Sequence, residues 1–178
     1  MVLAEIVRSR KGGGRGDVRM RGRTARAADV LEERGGSLIG GLIVTHGQLA
    51  FELLNAAEMI EGKLEGIEAV PLEWNDPVED SREKIRQALD RIGEDEGVII
   101  FTDMFGGTPS NISLSFLDRE KVEIVTGVNL PMIIKFMALK GSAETLNEVA
   151  HMIREKGAKS IRVASDLLAG EPREGSAE

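Results

Sequence analysis

GVIIFTDMFGGTPSN, residues 97–111, decides the fold class. Its first six residues, Gly97–Thr102, form an unbroken apolar run of the length expected for a strand buried on both faces, the habit of central strands in parallel sheets. The paired glycines Gly106 and Gly107 then provide a turn, and Pro109 suits the first turn of a helix. Strand, polar turn and helix therefore follow one another within fifteen residues.

The same alternation extends in both directions. Upstream, Leu38–Val44 reads as a buried strand, and Gln48–Glu61 carries Leu49, Leu53, Ala56 and Ile60 at helical spacing before Gly62. Ile67–Leu72 is a second strand. Asp76 and Pro77 read as an N-cap and first-turn proline for a helix that turns Val78, Ile85, Leu89 and Ile92 to the core and stops at Gly93. Downstream, Val122–Val125 is a fourth strand and Pro131 opens a helix to about Lys140. Ser142 is the expected cap of another, ending near Lys156 with Gly157 as its stop, and Ser160–Ala164 (SIRVA) reads as a last strand. Strands alternating with helices of this length give an α/β domain with a mainly parallel sheet.

Composition sets the bounds. The 178 residues are 42% hydrophobic and 30% charged, enough for one domain with a real core. Cysteine is absent, which removes disulfides and thiolate chemistry together. The two histidines, His46 and His151, are 105 positions apart, and no metal site is expected. His151 reads as a solvated helix residue. Residues 1–37 hold nine Lys or Arg against five Asp or Glu, a net of +4; with −7 for the whole chain, residues 38–178 carry −11. So acidic a domain is a poor nucleic-acid binder. The expected organisation is a disordered basic leader over 1–37, one domain over 38–168, and a flexible tail over 169–178. No apolar run reaches the roughly 20 residues of a membrane span.

Ligands of open α/β sheets bind beyond the carboxyl ends of the strands, where strand order reverses. Thr45, His46 and Gly47 follow the first strand; Asp103, Phe105, Gly106, Gly107, Thr108 and Ser110 follow the third; Asn129 follows the fourth. If the first and third strands are neighbours, His46 and Asp103 emerge side by side. A carboxylate that accepts one ring N–H sets the tautomer and leaves the other nitrogen as a directed nucleophile. The helix opening after Gly47, the close approach allowed by Gly106 and Gly107, and the hydroxyls of Thr108 and Ser110 suit a phosphoryl group. Taken singly, each feature has a plain structural reading: a surface histidine, a turn-capping aspartate, a glycine turn. Trp74, the only tryptophan, either walls this site or packs elsewhere.

Three segments together, IGGLIVTHGQLAFELLNAAEMIEG from Ile39, GVIIFTDMFGGTPSN from Gly97 and GVNLPM from Gly127, resemble the enzyme IIA component of the mannose/fructose/sorbose class of the phosphoenolpyruvate-dependent sugar phosphotransferase system. The resemblance covers about Leu38 to Leu168. It implies a three-layer α-β-α fold of strand order 2-1-3-4, with Ser160–Ala164 as a C-terminal antiparallel strand exchanged in a homodimer. It implies that His46 is the phosphorylated residue, that Asp103 orients its imidazole, that phospho-HPr is the donor, and that a histidine of a IIB component is the acceptor. The carrier would be cytoplasmic, without cofactor or metal, and would meet a membrane only through a permease complex. Many relatives carry Trp where Phe105 stands, and many continue into a IIB domain; here IIB is expected on a separate chain. The same site would also serve a regulatory phosphoprotein that signals by protein binding without transport. A phosphocarrier feeding dihydroxyacetone kinase fits the FGGTPSN and GVNLPM elements less well, and retention of both His46 and Asp103 speaks against an inert scaffold.

Overall fold

The structure, a computed structural model, describes residues 39–93, 97–118, 120–140, 142 and 144–169. The leader over 1–37, the start of the first strand at Leu38 and the tail beyond residue 169 lie outside them. Four parallel strands form one sheet: β1 (Gly40–His46), β2 (Ile67–Leu72), β3 (Val98–Thr102) and β4 (Val122–Thr126), in the order β2-β1-β3-β4. Helices cover both faces, as a parallel sheet requires.

On one face lie α1 (Leu49–Glu61), α4 (Leu130–Leu139) and α5 (Leu146–Lys159), packed over Ile43, Ile99 and Phe101. Phe101 meets Phe136 of α4 edge-to-face, with centroids 5.5 Å apart. Gly41 allows this contact, because a Cβ there would stand 2.7 Å from the Phe136 ring. On the other face, α2 (Val78–Ile92) and α3 (Thr108–Ser113) cover Leu42, Val44 and Ile100 with Ile85, Leu89 and Ile112. A single 3-10 turn, Leu114–Phe116, follows α3. The chain leaves β1 for β2 on one side and returns through α2 to β3 on the other. Strand order therefore reverses between β1 and β3, and that crevice is where a ligand is expected.

Several local expectations are corrected. Asp76 is not the cap of α2: Pro77 occupies the N-cap position, while the Asp76 carboxylate accepts from the Glu73 N–H and from Lys84. Val78, expected in the core, is exposed at the first turn. Thr145, not Ser142, caps α5, through a capping box with Glu148. Gly157 does not stop that helix. It lies inside it, buried, where a Cβ would come within 2.6 Å of the Met132 sulfur, so the glycine serves close packing of α5 on α4. Ser160–Ala164 is not a strand. Ser160 is the C-cap of α5, residues 161–163 have no regular structure, and α6 (Ala164–Ala169) begins at Ala164. Ile161 and Val163 alternate as a strand would, but both are exposed, and among the described residues this segment has no ladder partner.

Candidate functional site

The crevice holds His46, the last residue of β1, and Asp103, the first residue after β3. Parallel register sets Val44 beside Thr102, so the two chains reach the rim together. One oxygen of Asp103, Oδ2, accepts from the His46 backbone N–H at 3.0 Å and contacts the ring Nδ1 at 2.7 Å. The other, Oδ1, accepts from the Met104 N–H at 2.9 Å. Burial pushes the Asp103 carboxyl upward, but the hydrogen bonds from the His46 N–H and ring, the charge of the ring and the Met104 N–H together hold it below the ordinary carboxylate value of 3.8. An ionised carboxylate only accepts, so Nδ1 must carry the proton of the pair. In the neutral ring Nε2 then holds the lone pair, in the plane of the ring.

Glycines shape the space around that nitrogen. Gly47 turns the chain with φ +52° and donates its N–H to the Leu72 carbonyl at 2.9 Å. A Cβ on Gly107 would sit 2.8 Å from the ring Cε1 and 3.5 Å from Nε2. Any side chain at Gly107 would therefore crowd the edge at which Nε2 must be reached. Gly106 (φ +81°) accepts at its carbonyl from the Asn111 side chain, which ties the turn to α3. Thr108, the first residue of α3, is exposed beside Gly107.

Not every sequence-selected residue faces the crevice. Thr45 and Ser110 are fully buried, and the Ser110 hydroxyl has no hydrogen-bond partner among the described residues. Asn129 caps α4, its side-chain oxygen accepting from the Met132 N–H at 3.3 Å. His151 is exposed on α5. Trp74, left open by the sequence, lies against the site: its ring stacks on His46 with centroids 5.2 Å apart and planes 27° apart. The signal that finds it is the one that found His46, since Trp74 follows the carboxyl end of β2, the neighbour of β1. Met104, which the sequence does not select for a role, supplies the N–H that holds Oδ1 of the carboxylate.

Trp74, after β2, and Met104 and Phe105, after β3, are exposed apolar side chains on the two segments that flank the polar pair. Among the described residues, no three His, Asp or Glu side chains gather to hold a metal, and no helix is long and apolar enough to cross a membrane.

Residues 40–154 match the family model EIIA-man, described as PTS system fructose IIA component. The fructose-specific EIIA component of Bacillus subtilis (strain 168) is 30% identical over 132 residues, covering 74% of this chain and 90% of that protein. The mannose-specific EIIAB component of Escherichia coli (strain K12) is 29% identical over 122 residues; the match spans 68% of this chain but only 38% of that longer protein. Among solved structures, the PTS IIA protein associated with the fucose utilization operon from Streptococcus pneumoniae superposes with a TM-score of 0.64 at 28% identity, over 72% of this chain and 95% of that one.

Proposed function

The chain belongs to the EIIA-man family of phosphotransferase-system IIA components, and from that premise we propose that it is a cytoplasmic carrier that takes a phosphoryl group from phospho-HPr onto Nε2 of His46 and passes it to a histidine of a separate IIB component. The observation that carries this reading is the His46–Asp103 pair at the β1/β3 crevice, which commits Nδ1 and leaves Nε2 free. The Nε2 lone pair attacks phosphorus as the P–N bond of the donor phosphohistidine breaks and its electron pair returns to the donor ring. The positive charge that builds on His46 falls beside the Asp103 carboxylate. The Gly106–Gly107 turn and the opening of α1 offer backbone N–H groups to the phosphoryl oxygens, with the Thr108 hydroxyl beside them. Transfer to IIB runs the same exchange in the other direction. The exposed Trp74, Met104 and Phe105 give both partners an apolar contact ring.

The relatives name different sugars, fructose and mannose among them, and sugar choice belongs to other components of such a system. Incubation with phosphoenolpyruvate, enzyme I and HPr, read by intact mass, is expected to add one acid-labile phosphoryl group to the wild type and none to His46→Ala. Label retained on the variant would overturn the assignment. We further propose a homodimer, in which a second copy covers apolar side chains such as Ile161 and Val163. Sedimentation is expected to give twice the 19.3 kDa chain mass, and a stable monomer would exclude it.

A further inference from the structure

We propose that Trp74 is a positioning residue for His46, holding the plane of the imidazole while Asp103 holds its edge; this rests on His46 being the phosphoacceptor. The two constraints are complementary. A hydrogen bond at Nδ1 leaves the ring free to swing about its own bonds, since hydrogen-bond directions are broad. A ring stacked on its face removes that freedom. The reactive lone pair of Nε2 points outward in the ring plane, so a face-on neighbour restrains the nucleophile without standing in the donor's path. A stacked indole also favours the positive charge that builds on the imidazole during transfer.

The stack is built rather than incidental. Trp74 is 83% exposed, and a tryptophan so placed on a free turn would have little reason to keep one orientation. This turn is pinned. The Asp76 N–H donates to the Glu73 carbonyl at 3.1 Å, and the Asp76 carboxylate accepts from the Glu73 N–H at 3.0 Å. Lys84 of α2 donates to the same carboxylate oxygen at 2.6 Å. Gln48, at the start of α1, donates to the Glu73 carboxylate at 3.2 Å. The residues on both sides of Trp74 are thus tied to Gln48, the N-cap of α1, and to Lys84 of α2. Asp76, which does not cap α2, has its function here.

The test separates ring positioning from partner contact by using a donor with no protein surface. Full-length wild type, Trp74→Phe and Trp74→Ala are phosphorylated with phosphoramidate, whose P–N bond breaks as the His46 Nε2–P bond forms and ammonia leaves. Rates are followed by intact mass. Trp74→Ala is expected to react roughly fivefold more slowly, the scale of one exposed ring–ring contact, and Trp74→Phe to recover most of the rate. In the wild type, the fluorescence of this single tryptophan is expected to change on phosphorylation, with no change in His46→Ala. Because Trp74 is exposed, both variants should keep the wild-type unfolding temperature. Trp74→Ala reacting at the wild-type rate with phosphoramidate would overturn the proposal, even if it reacted more slowly with phospho-HPr, since that pattern marks a partner contact only. Labelling by phosphoramidate without labelling by phospho-HPr would sink the carrier reading while leaving the comparison of variants valid for Trp74.

Discussion

Residues 98–102 and residues 103–107 are consecutive in the chain and answer to opposite demands. Val98, Ile99, Ile100, Phe101 and Thr102 have no exposed surface at all. The next five, Asp103 to Gly107, are all partly or fully accessible, and they carry a carboxylate, two exposed apolar side chains and two glycines. The first stretch makes the sheet stable and has no chemistry. The second makes little core and holds all of the chemistry that β3 contributes. The difference teaches that in this fold reactivity is added at the rim of a core that is complete without it, so stability and transfer should be separable by mutation.

The largest expected effect lies on the rim: His46→Ala should lose every phosphoryl label while unfolding like the wild type. Inside the strand, Phe101→Ala removes a fully buried ring packed against Phe136. It should cost about 4 kcal/mol by denaturant unfolding, with transfer by the surviving folded fraction unchanged. Asp103→Asn sharpens the contrast, because it keeps the shape and loses the charge. Transfer is expected to slow roughly 100-fold, the scale of a misdirected reactive group, while the unfolding midpoint near neutral pH moves little. The smallest effect is in acid. The folded state holds the Asp103 carboxyl below 3.8, so the stability it contributes is present above its unfolded value and lost as pH falls through the folded one. The small stability gap between wild type and Asp103→Asn should therefore close as pH falls from 3.8 through the lower folded value; a gap that stays constant to lower pH would assign the carboxylate no ionic part in the fold.

The sheet was legible because buried parallel strands are written as apolar runs, and each of the four runs becomes a strand within two residues of its expected ends. The His46–Asp103 pair was legible because chemistry collects at strand ends. What failed depended on contacts that no local pattern contains. Gly157 has the composition of a helix stop, yet its reason for being glycine is Met132, 25 positions away. Asp76 followed by proline has the composition of a cap, but Lys84 and the Glu73 N–H compete for its carboxylate and win. Ile161 and Val163 specify a face without specifying what covers it. Ser110 looked like a phosphate-facing hydroxyl because a residue after a glycine turn is usually accessible, and the short helix α3 instead turns it into the core.

The two residues whose contact defines the site lie 57 positions apart, on strands joined only through β2 and two crossover helices. A chain emerging from the ribosome therefore displays its nucleophile long before it can aim it. Until β3 docks beside β1, His46 is an ordinary imidazole with neither tautomer nor direction imposed. Because parallel pairing across long crossovers is among the slower events of folding, competence for phosphoryl transfer arrives late, as a property of the closed sheet. An unfinished or partly unravelled chain would then be silent toward its donor, and a phosphorylation pulse applied during refolding would time the closure of the central pair of strands.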